Sequence, residues 1–102
     1  MSKSSERRRI RREIKALQTL ESNLNKIIRK TKEASESLEK GRNKAINVYS
    51  LNDDETPIIP KIKELESDIS ETSNYLKSNV IPSIKDRIEE LREELKELED
   101  DD

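Results

Sequence analysis

Few side chains in this sequence have the type and spacing that catalysis requires. Residues 37–40 read Ser-Leu-Glu-Lys and match the Ser-x-x-Lys motif, in which a lysine lies close to a serine nucleophile. The companion motifs of that chemistry are absent, so we favour a chance match on a polar helix. The glutamates between residues 89 and 99 could serve as general acids or bases only in a desolvated site, and their surroundings are strongly polar. The sequence therefore predicts a protein that is not an enzyme.

No set of residues predicts a metal or cofactor site. The chain contains no His and no Cys, which removes imidazole and thiolate ligands. The acidic residues within 52–55 and 99–102 lack the alternating ligands and the central glycine of a calcium-binding loop. Gly41 is the single glycine, so no glycine-rich phosphate loop can form. We therefore expect no cofactor.

A basic cluster lies near the amino terminus, where residues 7–12 read Arg-Arg-Arg-Ile-Arg-Arg. Such a cluster can bind nucleic acid or an anionic membrane surface. The alternative is neutralisation within the chain. Residues 1–51 carry 14 Lys or Arg and 6 Asp or Glu (net +8), whereas residues 52–102 carry 7 and 17 (net −10). We favour neutralisation, because the total charge of −2 is atypical of nucleic-acid binders. The residues expected to form charge pairs within the chain are Arg7, Arg8, Arg11, Arg12, Glu90, Glu94 and Glu97.

Aliphatic residues at heptad spacing predict a long first helix. Two series of mostly apolar positions alternate at steps of three and four residues. The first series is Ile10, Leu17, Leu24, Thr31, Leu38 and Ala45, and the second is Glu13, Leu20, Ile27, Ala34, Gly41 and Val48. Because no proline interrupts residues 2–56, we expect flexible residues 1–4, with Ser4 as the cap, and a helix over 5–51.

A turn over residues 52–57 and a second helix over 58–99 follow, with an acidic tail at 100–102. Turn-forming residues precede Pro57, which suits a first helical turn, and Pro60 could delay the start by one turn. The apolar series of the second helix is Ile62, Leu65, Ile69, Thr72, Leu76, Val80, Ile84, Ile88, Leu91, Leu95 and Leu98. Four successive four-residue steps surround Pro82, so we expect a kink or a break near residues 79–82.

The charges and the apolar series favour a hairpin. Like charges repel along each helix, and folding back places the basic end beside the acidic end. A turn near residue 54 pairs Ile10 with Leu98 and Ala45 with Ile62 in one antiparallel register. The predicted fold is a single all-α domain, an antiparallel two-helix coiled-coil hairpin. An antiparallel dimer of hairpins or of unbroken helices would use the same pairings.

Further aliphatic and aromatic residues lie beside the predicted seam and widen the apolar stripe toward that of a bundle helix. They are Ile14, Ile28, Ile46, Tyr49, Ile58, Ile59 and Ile81. We expect them to form an interface with a helical partner or with a second copy of the chain. The alternative is that they pack against the flanks of the opposite arm.

The layout resembles that of small α-helical partner proteins of bacterial type VII secretion. It is most similar to the accessory proteins of LXG toxins, including the YwqH-like type, and more distantly to the W-x-G helical hairpins. The chain has residues 49–51, Tyr-Ser-Leu, in the region of the W-x-G motif. Residues 49–53 fit a Tyr-x-x-x-Asp export signal, but they precede the second helix. The resemblance is carried by a polar break, the glutamate-rich residues 84–98, and the heptad residues Ile14, Leu17, Leu24 and Ile28.

The resemblance implies an accessory partner that packs on the helical targeting region of a secreted toxin. One competing hypothesis is a self-assembling structural coiled coil, for example a homodimeric four-helix bundle. A third is a nucleic-acid or membrane-surface binder that uses residues 7–12. The sequence has no 18-residue apolar run and no Sec signal peptide. We therefore expect a protein that is cytoplasmic or exported by another route.

Overall fold

The computed structural model describes residues 2–52 and 55–100, and within them all regular structure is helical. The first arm is α1, Lys3–Asn47. This confirms the all-α class, and the two helical arms are consistent with a helical hairpin. Residues 1, 53–54 and 101–102, which belong to the predicted flexible terminus, turn and acidic tail, lie outside the described residues.

The second arm consists of two α-helices that follow each other without an intervening loop. α2 spans Ile58–Tyr75 and α3 spans Ile81–Asp100. A π-helical segment, Leu76–Val80, connects them without a break in the helical backbone.

α1 begins and ends earlier than the apolar pattern predicts. The Ser2 hydroxyl accepts a hydrogen bond from the Ser5 N–H at 3.2 Å, so Ser2 caps the helix rather than Ser4. At the other end Ser50 has a φ of 55°, in the left-handed region. The Leu51 N–H bonds back to the Ala45 carbonyl at 3.2 Å. A left-handed residue ends a helix because it turns the backbone away from the helical path.

The turn between the arms is held by its own backbone. The Asn52 carbonyl accepts hydrogen bonds from the N–H groups of Glu55 and Thr56, at 3.2 and 2.8 Å. Pro57 follows with a φ of −59°, which suits the entry into a helix. Pro60 lies in the first turn of α2 and does not delay its start.

The π-helical segment takes up one extra residue of the second arm. The inward positions of α2 follow steps of three and four residues, and those of α3 do the same. They are Ile59, Ile62, Glu66, Ile69, Ser73 and Leu76 on α2, and Ile81, Ile84, Ile88, Leu91, Leu95 and Leu98 on α3. The step from Leu76 to Ile81 is five residues, and a π-helical turn accommodates such an insertion. Pro82, which cannot donate to the Ser78 carbonyl, follows directly. Near residues 79–82, where we expect a kink or a break, the structure has this π-helical segment, which begins earlier, at Leu76, and does not interrupt the helix.

The chain divides into two compact units, and each combines a part of α1 with a part of the second arm. Unit 1 comprises Met1–Lys26 and Lys77–Asp102. Its buried side chains are all aliphatic: Ile10, Ile81, Ile84, Ile88 and Leu91. Each fully buried aliphatic side chain stabilises the folded state by about 1.5–3 kcal/mol, so unit 1 has an ordinary hydrophobic core.

Unit 2, Ile27–Leu76, has a smaller apolar core. Its buried residues are Ile28, Ile59 and Ser73. Several half-buried inward positions are polar, namely Thr31, Ser35, Arg42 and Glu66. The Thr31 hydroxyl satisfies its hydrogen-bonding capacity locally by donating to the Ile28 carbonyl at 2.8 Å. Unit 2 therefore has fewer buried aliphatic side chains among its described residues than unit 1, and polar residues occupy part of its seam.

Candidate protein-interaction surface

An ion pair lies in the seam of unit 2. Arg42 of α1 donates from Nε to Glu66 Oε2 at 2.8 Å and from Nη2 to Glu66 Oε1 at 3.3 Å. The two side chains are 18% and 14% exposed. Because both hydrogen bonds are charge-assisted and partly shielded from water, this pair is geometrically specific. It requires Arg42 and Glu66 to face each other across the seam.

The ion pair shows that the seam of unit 2 differs from the predicted one. The second predicted series of α1 was expected inside, yet Ile27, Ala34, Gly41 and Val48 are exposed. The neighbouring positions, one residue further along, are turned inward instead: Ile28, Ser35 and Arg42. On α2, Leu65 is likewise exposed while Glu66 is inside. α1 is thus rotated about its own axis relative to the predicted orientation. Ala34 and Gly41 offer little apolar area to bury, and this rotation brings Ile28 into the core.

This rotation leaves an apolar surface on unit 2, which we name the open apolar face. Its large members are Ile27, Val48, Ile58 and Leu65, whose exposed fractions lie between 46% and 64%. Ala34 and Gly41 continue the face along α1, and a Cβ placed on Gly41 would meet nothing within 4 Å.

The two helices contribute to the same side of unit 2. Gly41 directly precedes Arg42, and Leu65 directly precedes Glu66. A step back of one residue rotates the side-chain direction by about 100° on each helix. Because the helices are antiparallel and face each other, equal rotations turn Gly41 and Leu65 toward the same side. The open apolar face is therefore continuous across both helices.

Charged side chains border this face with opposite sign on its two halves. The exposed charged residues that flank the face are Lys30, Glu33, Lys40 and Lys44 on α1, and Lys61, Glu64, Asp68 and Glu71 on α2. The α1 border has three positive charges and one negative charge, and the α2 border has the reverse. An apolar centre with a charged border is typical of a protein interface.

The structure separates the seven residues predicted to contact a partner. Ile28, Ile59 and Ile81 are buried within the chain, so they pack against the opposite arm. Ile14 and Ile46 are half-buried. Tyr49 and Ile58 are exposed, and Ile58 belongs to the open apolar face.

Charge pairing between the arms of unit 1 uses some of the predicted residues. Arg11 pairs with Glu99 at 2.8 Å, and Arg7 donates to the Leu98 carbonyl at 3.5 Å. In the described part of the chain Arg8, Arg12, Glu94 and Glu97 form no ion pair. These four side chains are exposed, because Ile88, Leu91, Leu95 and Leu98 occupy the inward side of α3.

Arg87 forms a second ion pair between the arms of unit 1. It pairs with Glu13 of α1 at 3.3 Å and with Glu90 of its own helix at 3.2 Å. Glu90 thus pairs within α3 rather than with an arginine of α1. The hydrogen bond with Glu90, followed by the interactions with Glu13, raises the pKa of Arg87 above its ordinary value, although desolvation opposes the shift. Arg87 therefore keeps its positive charge at any pH near neutrality.

The described residues offer little that resembles a catalytic or metal site. Across residues 2–52 and 55–100 there is no group of three or more acidic side chains that could hold a metal ion. A cleft of about 330 Å³ in unit 1 is lined mostly by polar and charged side chains: Gln18, Glu21, Lys85, Ile88, Glu89 and Arg92. In the same part of the chain, none of the helices is apolar enough over a sufficient length to cross a membrane.

The sequence contained one signal for the observed seam. The numbers of Arg42 and Glu66 sum to 108, as do those of Ile10 and Leu98 in the predicted pairing. Opposite charges at matching positions of two antiparallel helices indicate a contact. Comparison with family models, with curated proteins and with solved structures finds no match to this chain.

Proposed function

We propose that this chain is a non-enzymatic interaction module that packs against helices through the open apolar face of unit 2. The observation that carries the proposal is the exposure of Ile27, Val48, Ile58 and Leu65 on one side of two antiparallel helices. Contiguous apolar surface with a charged border marks interaction sites in soluble proteins.

The width of the apolar stripe supports helices as the binding partners. A helix that packs in a bundle is apolar at three of seven positions, whereas a two-stranded seam needs two. In unit 2, α1 places Leu38, Ala45 and Ile28 in the seam, and Ile27 and Val48 belong to a further apolar series that is exposed. Another helix laid along this further series would complete a bundle.

A finer form of the proposal is an accessory partner that packs on the helical region of a type VII secreted toxin. Its support is the resemblance in layout described above. A homodimeric four-helix bundle is the second candidate, and the opposite charges on the two borders of the face favour it. Nucleic-acid binding through residues 7–12 has less support, because Arg7 and Arg11 contact α3 of the same chain.

Affinity capture from the native host tests the proposal. The baits are the tagged wild-type chain, Leu65→Asp, and Ser67→Asp as a control at an exposed position of α2 outside the face. An untagged copy of the chain is added to each extract. We expect a helical protein, or the untagged copy, to bind the wild type and Ser67→Asp but not Leu65→Asp. If no captured protein depends on Leu65, the proposal is wrong.

A further inference from the structure

We infer that the open apolar face is covered by a second copy of this chain, related to the first by a two-fold axis parallel to the helices of unit 2. The inference rests on the proposed function and names the partner of the same surface. In this arrangement α1 of each copy lies over α2 of the other. Unit 2 then forms the core of a four-helix bundle in which neighbouring helices are antiparallel.

Charge complementarity is the first support for a second copy. The α1 border of the face has a net charge of +2, from Lys30, Glu33, Lys40 and Lys44, whereas the α2 border has a net charge of −2, from Lys61, Glu64, Asp68 and Glu71. A two-fold interface uses the same surface on both copies, so that surface must be complementary to itself. A face with one basic half and one acidic half meets this requirement.

The same charges select one of two possible two-fold arrangements. An axis parallel to the helices places the basic border of α1 over the acidic border of α2 of the other copy. An axis perpendicular to the helices places α1 over α1 and α2 over α2, which brings like charges together. Like-charge contacts disfavour an interface, so the parallel axis is the arrangement that fits.

Side-chain volumes support the same arrangement. Gly41 and Leu65 lie within about 3 Å of the same height on the open apolar face, because each precedes one partner of the Arg42–Glu66 pair and the helices run in opposite directions with a rise of about 1.5 Å per residue. The parallel axis therefore places Leu65 of one copy over Gly41 of the other. A Cβ at Gly41 would meet nothing within 4 Å, so there is room there for a large side chain. Large residues opposite small ones interlock well in helical cores.

Sedimentation equilibrium of the purified full chain measures the association. We expect the wild type to have the mass of two chains at micromolar concentration and to dissociate on dilution. Leu65→Asp places a charge in the interface and should shift the equilibrium to single chains, with the helical circular dichroism signal retained. Ser67→Asp adds the same charge outside the face and should remain a dimer.

A second variant separates the interface from the stability of the hairpin. Gly41→Leu fills open space and raises helix propensity, so it should not unfold unit 2. It also occupies the room that Leu65 of the other copy needs, and should weaken dimerisation at least tenfold. Glu39→Leu, at an exposed position of α1 outside the face, is the control and should leave the dimer intact.

A single spin label tests the orientation. The chain has no cysteine, so Glu55→Cys places one label at the exposed turn. With the parallel axis the two turns lie at the same end of the dimer, and the labels should be close. With the perpendicular axis they should be separated by at least about 30 Å, since some twenty residues of helix rise by about 1.5 Å each.

Three results would overturn the inference. They are a wild-type chain that stays single at every concentration, a dimer that tolerates both Leu65→Asp and Gly41→Leu, and labels that are far apart. If the purified chain stays single while Leu65-dependent capture of another protein persists, the proposed function holds. The inference that a second copy covers the face is then wrong. If neither dimerisation nor the capture of another protein depends on Leu65, the proposed function and the inferred dimer are both wrong.

Discussion

Arg42 of α1 and Glu66 of α2 form a two-bonded ion pair inside the seam of unit 2, although the aliphatic Leu65 lies directly beside Glu66 in the sequence. A partly desolvated ion pair contributes little net stability compared with well-packed aliphatic side chains. Its geometry nevertheless determines which residues face each other. Because Arg42 and Glu66 are turned inward, their neighbours Gly41 and Leu65 are turned outward. The interaction surface is therefore a direct consequence of this pair.

Arg42→Ala should lower the free energy of unfolding by about 1.5–3 kcal/mol, because Glu66 would lose both of its hydrogen bonds to Arg42 at a position with little access to water. Urea denaturation followed by circular dichroism measures the change. Arg11→Ala is the control, since the Arg11–Glu99 pair is exposed and should contribute less than about 1 kcal/mol. The double variant Arg42→Leu/Glu66→Leu should regain most of the loss, because no charge is left unpaired. Equal losses for Arg42→Ala and Arg11→Ala would contradict this role of the pair.

Hydrogen exchange should be faster in α2 than in α3. Unit 1 buries five aliphatic side chains and unit 2 buries two, so unit 2 should open at a lower free energy. We expect amides of α2 to exchange at least tenfold faster, which corresponds to a difference of about 1.4 kcal/mol. The measurement uses Leu65→Asp, so that association through the open apolar face does not protect α2. Equal protection of both helices would show that the core of unit 2 is as stable as that of unit 1.

Removal of one residue from the π-helical segment should be tolerated. The deletion of Asn79 is made in a Pro82→Ala background. It shortens the step between the inward positions Leu76 and Ile81 from five residues to four, so all inward positions from Ile59 to Leu98 follow steps of three and four. A regular α-helix can then keep every one of them inside. Deletion of Ser67 is the control, because it rotates all later inward positions by about 100°. Thermal denaturation should show a cooperative transition for the first deletion and a loss of the folded state for the second. Similar damage from both deletions would mean that the segment does more than accommodate an extra residue.

Substitutions of Ser50 should follow its left-handed backbone conformation. Its φ of 55° costs a residue with a side chain about 1–2 kcal/mol, whereas glycine adopts it freely. Ser50→Gly should therefore raise the melting temperature slightly, and Ser50→Val should lower it. Differential scanning calorimetry measures both changes. A lower melting temperature for Ser50→Gly would indicate that the turn does not need this conformation.

The pattern of aliphatic residues and prolines was sufficient to predict the helical class and the beginning of α2. Those features depend on local preferences: Pro57 favours a helix start, and long stretches of helix-forming residues continue until the turn. The end of α1 was placed too late, because Val48 and Leu51 extend the apolar pattern beyond Asn47. The backbone reverses there through Ser50, and serine is not a typical residue for a left-handed position.

The amino-acid sequence determined that the chain is helical, that its two halves have opposite charge, and that each arm carries more apolar residues than one seam needs. Only the tertiary structure decided which apolar series is inside. On α1 the series of Ile27 is more apolar than the series of Ile28, which contains Ser35 and Arg42, so the local pattern favours the series that the structure leaves exposed. The choice depends on contacts with residues far along the chain, above all Arg42 with Glu66. Leu65 and Gly41 are therefore available for an interface because two charged residues 24 positions apart meet in the seam.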